Sequence, residues 1–171
     1  MKKLYAIDTL YIEYINLIQK ALLDKLEDGL ISIVLFGSVA RGEAKEGSDI
    51  DLLVVSSRFK GSIGKRLKLF QEIELKLSTS KARKELRKNK LGALVSPIPL
   101  KPEEVKKNPP IFLDILTDGI ILYDKNDFIK KHLLEFEKKL KALGAKKVFL
   151  QSGKWYWDLK PNYRFGEIIE I

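Results

Sequence analysis

Two aspartates one residue apart, Asp49 and Asp51, begin the apolar run IDLLVV, and the pair Gly37-Ser38 ends the earlier apolar run LISIVLF. Residues two apart in a strand point to the same side, so both carboxylates would project together while Ile50 enters the core. Two carboxylates that close repel each other unless a cation holds both, and their oxygens suit a hard divalent ion. The spacing therefore predicts a divalent-metal site at Asp49 and Asp51.

The Gly37-Ser38 pair supplies a complementary half of the same site. Glycine lets the backbone approach a ligand, and Ser38 is predicted to cap a short helix, SVARGEA, whose N-terminal N–H groups would bind phosphate. Arg41 on this helix is expected either to pair with an aspartate or to reach a phosphate. If the two apolar strands are neighbours, a triphosphate would lie between the N–H groups and the metal. This combination suits phosphoryl or nucleotidyl transfer.

The stretch FGSVARGEAKEGSDIDLLVV resembles the signature of the nucleotidyltransferase superfamily that includes DNA polymerase beta, CCA-adding enzymes, poly(A) polymerases and kanamycin nucleotidyltransferase. It is most similar in form to the minimal nucleotidyltransferases of archaea and bacteria. The resemblance implies an α/β (α+β) fold with a small mixed sheet and helices packed against it. It also implies that Asp49 and Asp51 are catalytic and hold Mg²⁺ or Mn²⁺.

In the same resemblance, Gly37 and Ser38 grip the phosphates of a nucleoside triphosphate, and Arg41 and Ser48 are further candidates for nucleotide binding. The implied reaction moves a nucleoside monophosphate to an acceptor hydroxyl. The acceptor is a protein side chain, a small molecule or an RNA end. A homo-oligomer or a separate partner protein is also compatible with this family.

Family members carry a third carboxylate on a later strand, and this sequence offers no convincing equivalent. The predicted edge strand GALVSPIPL presents Ser96 at the expected place. Four glutamates are candidate substitutes: Glu72, Glu74, Glu103 and Glu104. The missing acid leaves two alternatives to the enzyme open. One is a catalytically impaired nucleotide- or partner-binding module, antitoxin-like or regulatory; the other is a basic RNA-binding domain with a vestigial metal site.

Composition restricts the chemistry further. The 171 residues include no cysteine and one histidine, which excludes disulfides, thiolate metal sites and multi-histidine zinc sites. The longest apolar runs are much shorter than the roughly 20 residues that cross a bilayer, and the start of the chain predicts an amphipathic helix, not a signal peptide. We therefore expect a cytoplasmic protein without membrane contact. Its many lysines and glutamates are typical of a thermophile, and the motif is typical of archaea.

The net charge of +9 is concentrated in one segment. Residues 65–90 carry 10 basic and 3 acidic side chains, whereas residues 1–64 have a net charge of −1 and residues 91–171 of +3. A basic face of this kind attracts phosphates, and contact with RNA through residues 65–90 is one interpretation. A solvated helix of a thermophilic protein is the other.

We predict a single domain, with a nucleotidyltransferase core at residues 1–125 and a packed C-terminal extension at residues 126–171. The core begins with a helix capped by Asp8 that runs to about Asp28. The spacing of apolar residues predicts a basic helix from Ile63 to Leu77, and IILYD is a short strand. In the extension, Asn126 is expected to cap a helix to Leu143 with His132 on its surface, followed by an aromatic hairpin around residues 152–153.

Overall fold

The computed structural model describes residues 7–151, 155–165 and 167. Its centre is a four-stranded mixed sheet in the order β3-β2-β1-β4. The strands are β1 (Leu30–Phe36), β2 (Ile50–Ser56), β3 (Val95–Leu100) and β4 (Ile120–Asp124). Strand β1 runs antiparallel to β2 and β4, and β3 runs parallel to β2. The predicted small mixed sheet is confirmed, with the proline-containing strand β3 at one edge.

The two central strands are apolar on both sides because helices cover both faces of the sheet. Alternate residues of β1 enter opposite clusters: Ile33 and Leu35 pack on one face, and Val34 and Phe36 on the other. In β2, Leu53 belongs to the same cluster as Val34 and Phe36. This explains why LISIVLF and IDLLVV are continuous apolar runs without alternation.

The first face is covered by α1 (Thr9–Leu26), α3 (Ile63–Leu77) and α4 (Lys81–Lys88), and the second by α5 (Pro102–Val105), α6 (Ile111–Asp118) and α7 (Phe128–Leu143). A five-residue helix, α2 (Gly37–Arg41), joins β1 to the loop before β2. The predicted helix 63–77 is confirmed, and α4 follows it after a break at which Ser80 accepts a hydrogen bond from the Arg83 N–H. None of the described helices is long and apolar enough to cross a membrane.

The N-terminal caps show where local patterns succeed and fail. The Asp8 carboxylate accepts from the Leu10 N–H at 2.9 Å, as predicted. Ser38 is not a cap: it lies inside the first turn of α2, and Phe36 occupies the N-cap position. Asn126 is not the cap of α7 either, because the Asp124 carboxylate accepts from the Ile129 and Lys130 N–H groups.

The C-terminal extension contains α7 and a two-stranded antiparallel pair, β5 (Lys146–Phe149) and β6 (Trp155–Asp158). This pair agrees with the predicted hairpin, whose turn at residues 152–153 lies outside the described residues. His132 is not simply a surface residue: its Nε2 is 2.8 Å from Asn108 Oδ1 and its ring lies edge-on to Phe112. Burial accordingly lowers the pKa of His132.

Candidate active site

Gly37 is the point where β1 turns into α2, directly beside the second aspartate. Its φ of +73° lies in the left-handed region that favours glycine. A Cβ on this residue would collide with Oδ2 of Asp51. The close approach follows from the register of the sheet, in which Phe36 is paired with Asp51 across β1 and β2. Gly37 is therefore required both by its backbone conformation and by the carboxylate it contacts.

The N-terminus of α2 has no side-chain cap of its own. Gly42 closes the helix in the left-handed conformation, with its N–H bonded to the Val39 carbonyl at 3.1 Å. Ser38 lies in the first turn, and Val39 and Ala40 are buried against the core. No side chain thus caps the first N–H groups of this helix, and the helix begins at the residue that lies against Asp51.

The spacing had predicted that Asp49 and Asp51 both belong to the second strand. This prediction is wrong for Asp49. Strand β2 begins at Ile50, so Asp49 ends the preceding loop and is exposed, whereas Asp51 is half-buried within the strand. They are nevertheless close: burial raises the pKa of Asp51, and the charge of Asp49 raises it further. The Ser96 hydroxyl and, more weakly, the Arg41 charge act in the opposite direction. An added cation would relieve the unfavourable charge at this point.

Ser96 stands where the resemblance implied a third carboxylate. Strand β3 pairs with β2 in parallel, and the register sets Ser96 beside Asp51. Within the described part of the chain, no group of three acidic or histidine side chains could hold a metal ion. The two carboxylates and the Ser96 hydroxyl are thus the oxygen ligands that this end of the sheet offers.

The four glutamates that are candidate substitutes have other partners. Glu72 bonds to Lys25, and Glu74 accepts from the Val95 N–H at 3.0 Å. Glu103 lies 3.8 Å from the Lys101 ammonium. Glu104 is bound by Arg66, with Nη2 to Oε1 at 2.8 Å. Each of the four is thus engaged with another group, although Glu74 bonds to the residue that precedes Ser96 on β3.

Arg41 pairs with an aspartate of a distant helix, which is one of the two predicted roles; contact with a phosphate stays a prediction. Its Nη1 is 3.0 Å from Oδ2 of the buried Asp118 in α6, and its Nε is 2.7 Å from Glu43. No local sequence pattern predicts this pair, because its two residues are 77 positions apart. This ion pair joins α2 to α6 and keeps a positive charge near Asp51.

Ser48 and Gly92 shape the loop that carries Asp49. The Ser48 hydroxyl accepts a hydrogen bond from the Lys45 N–H at 2.8 Å, which closes the turn after α2. Gly92 packs so tightly against this turn that a Cβ would collide with the Ser48 carbonyl oxygen. Two residues later, the Leu94 carbonyl accepts from the Ile50 N–H at 2.8 Å. Nothing in the local sequence around Gly92 had predicted this contact.

With this geometry in place, the class of protein is defined by its match to a family model. Residues 15–170 match the nucleotidyltransferase domain, and the chain belongs to that family. Over 132 residues it is 34% identical to a protein of Methanocaldococcus jannaschii named "Putative protein adenylyltransferase MJ1305". The match covers 76% of this chain and 82% of that relative. The chain is therefore a nucleotidyltransferase, which confirms the class implied by the motif.

Two solved structures were also similar in part. A chain described as "Crystal structure of the toxin-antitoxin with AMP-PNP" is 20% identical with a TM-score of 0.48, covering 75% of this chain and 91% of that one. A chain from a complex of a tri-AMPylated Shewanella oneidensis HEPN toxin with MNT antitoxin is 16% identical with a TM-score of 0.45, covering 78% and 91%. At these TM-scores we draw no conclusion from them.

Proposed function

We propose that the protein transfers AMP from ATP to a hydroxyl group of another protein. The name of the archaeal relative supports both the adenylyl group and the protein acceptor. One observation supports placing the site here: the half-buried Asp51 lies against Gly37 at a turn that only glycine tolerates, with Asp49 beside it. In the reaction, the acceptor oxygen bonds to the α-phosphorus, the bond to the β-phosphate oxygen breaks, pyrophosphate leaves, and the hydroxyl proton passes to solvent or a base.

Asp49 and Asp51 are the residues that would hold the divalent metal of this family, in our proposal Mg²⁺ or Mn²⁺. They fit such an ion because they are oxygen ligands whose mutual repulsion a cation would remove. When bound, the metal would neutralise charge on the triphosphate. Gly37 and Ser38 would bind phosphate through backbone N–H groups, while Arg41 would add a positive charge at the end of α2.

Ser48 has a narrower part in the proposal than the motif implied. Its hydroxyl is engaged with the Lys45 N–H, so it orders the turn before Asp49.

The same proposal assigns the protein to the cytoplasm of a thermophilic archaeon. The lysine and glutamate content and the relative from Methanocaldococcus jannaschii support this assignment.

The experiment that tests the proposal supplies the purified protein with ATP, CTP, GTP or UTP, each labelled at the α-phosphate, together with Mg²⁺ or Mn²⁺ and cell extract. We expect label from ATP on a protein band. The band should disappear with Asp49→Asn and Asp51→Asn. It should persist with Asp24→Asn, which removes an exposed acid of α1. Binding of ATP without transfer to any acceptor would favour the nucleotide-binding module, which Ser96 beside Asp51 also suits.

A further inference from the structure

Five cations follow one another along α4 and the turn after it, and we call them the basic ridge: Lys81, Lys84, Arg87, Lys88 and Lys90. All five are exposed. Helix α4 buries Ala82, Arg83 and Leu86, and this leaves the lysines at positions 81, 84 and 88 in a row at helical spacing on the outer side. The ridge is therefore a mainly cationic surface, with the half-buried Glu85 as the one acid of α4 beside it.

The C-terminal end of the basic ridge reaches the candidate active site. After α4 the chain turns back, with the Leu91 N–H bonded to the Leu86 carbonyl at 2.9 Å. It then packs Gly92 against Ser48 and bonds Leu94 to Ile50. These are the neighbours of Asp49. A ligand that lies along the ridge is consequently led to the turn that carries Asp49.

The charge of the basic ridge is not balanced within the described part of the chain. None of its five cations forms an ion pair there with an acidic side chain. Two other arginines of residues 65–90 do have partners within the fold. Arg66 is buried and forms an ion pair with Glu104, and Arg83 donates to the Glu74 carbonyl at 2.8 Å. A row of like charges repels itself and attracts an anionic partner. Most of the excess positive charge of residues 65–90 therefore lies on the exposed surface and not in the core.

The side chains around the basic ridge favour a protein partner over RNA. Single-stranded RNA is usually held by bases stacked on aromatic side chains. The one aromatic residue of positions 63–94 is Phe70, which is 2% exposed. Exposed aliphatic side chains are present instead, since Leu75 is 76% exposed and Leu94, next to the site, is 59% exposed. Cations combined with exposed leucines suit an acidic polypeptide that also carries apolar residues.

We propose that the basic ridge binds an acidic segment of the protein that receives the AMP, and so presents its hydroxyl group to the site at Asp49 and Asp51. This rests on the proposed function for the identity of the acceptor as a protein. It adds the chemistry by which that acceptor is selected. Long-range attraction along the ridge would raise the rate of encounter, and exposed leucines such as Leu94 would add apolar contact.

The test measures binding of two fluorescent probes, poly-L-glutamate and single-stranded poly-U RNA, to the full-length protein. The ridge variant is Lys84→Glu with Lys88→Glu. Its matched control is Lys138→Glu with Lys139→Glu, which makes the same charge change at exposed positions of α7. We expect the ridge variant to bind poly-L-glutamate roughly 10-fold more weakly than the wild type, and the control to stay within about 2-fold. Equal losses in both variants, or tighter ridge-dependent binding of RNA than of poly-L-glutamate, would overturn the proposal.

A second measurement separates this proposal from the proposed function. Thermal stabilisation by ATP with Mn²⁺ should be the same in the wild type, the ridge variant and the control, because none of the changed residues contacts Asp51 or Gly37. In extract, the ridge variant should label the acceptor more weakly, whereas Asp49→Asn should abolish labelling. If the wild type labels no protein while poly-L-glutamate still binds the ridge, the proposed function fails and the ridge remains an acid-binding surface.

Discussion

The two ends of the β1–β2 pair contain the same kinds of residue, glycine, serine and charged side chains, but arrange them differently. At the end near Gly29, polar groups are satisfied: the Gly29 carbonyl accepts from the Ser56 hydroxyl at 2.8 Å and from the Ser57 N–H at 3.0 Å. Charges there are paired, as Arg58 is with Glu27. This closed end stabilises the fold.

The opposite, open end compensates its charges only in part. Asp51 lies against Gly37, its pKa is raised by burial and by Asp49, and its register neighbour on β3 is only the hydroxyl of Ser96. Charged groups that the fold itself does not satisfy are expected where a ligand satisfies them. We therefore propose that the open end holds the residues of function and that the closed end holds residues of stability.

The largest expected effect is at the carboxylates of the open end. Asp51→Asn keeps the shape of the side chain and removes a charge that would bind the metal. We expect AMP transfer to fall roughly 1,000-fold, because the cation is then held by one carboxylate. The measurement is the rate of label transfer from ATP. Calorimetric titration with Mn²⁺ should show weakened binding in the variant, and unchanged Mn²⁺ affinity would contradict the assignment.

The two glycines give the next contrast. Gly37→Ala places a Cβ against Oδ2 of Asp51 in a left-handed backbone, whereas at Gly29 the added Cβ meets mainly the flexible side chain of Arg58. We expect Gly37→Ala to cost about 1–3 kcal/mol of stability and about 100-fold in activity. Gly29→Ala should cost about 1 kcal/mol and leave activity unchanged. Urea unfolding measures the stability of the two variants, and the transfer assay measures their activity. Equal activity losses in the two variants would contradict the assignment of the site to the open end.

Much of this open end was predictable because its signals are local. Two apolar runs, a Gly-Ser pair between them and two aspartates at a spacing of two were enough to predict the strands, the turn and the class of enzyme. The proline-containing edge strand and the helix 63–77 also follow from nearest-neighbour chemistry. Patterns of this kind are carried by residues that lie close in the chain.

What could not be predicted depends on contacts between distant residues. The Ser32 hydroxyl donates to Asp124 at 2.7 Å across 92 positions, and this contact helps place the Asp124 carboxylate that caps α7 in place of Asn126. Arg41 pairs with Asp118, which lies 77 positions later in the sequence. Ser38 had the right residue type for a cap, but the N-cap position is Phe36, two residues earlier, and the helix begins at Gly37. For Asp124 and Arg41, a tertiary partner decided between local choices of similar energy.

An ion pair near the closed end predicts a pH dependence of stability without an effect on the site. Arg66 and the N–H group of Lys101 hold the pKa of Glu104 at about 2. Because the folded pKa lies below the unfolded value of 4.5, the stabilisation is complete above pH 4.5 and is lost as pH falls towards 2. Glu104→Gln should thus cost roughly 2–3 kcal/mol at pH 7 and progressively less below pH 4.5. Urea unfolding across this pH range measures the difference, and a cost independent of pH would contradict the assignment.

The smallest effects are expected from two serines, one at each end. The buried Ser56 hydroxyl donates to the Gly29 carbonyl and accepts from the Arg58 N–H at 3.1 Å. Ser56→Ala should therefore cost about 1 kcal/mol in urea unfolding and leave transfer unchanged.

Ser96 is exposed beside Asp51, so Ser96→Ala should change stability by less than about 0.5 kcal/mol. It should lower transfer by roughly 2- to 10-fold, because the hydroxyl that favours the charged form of Asp51 is gone. A reversed pattern, with Ser56 affecting transfer and Ser96 affecting stability, would mean that the open end does not hold the reacting groups.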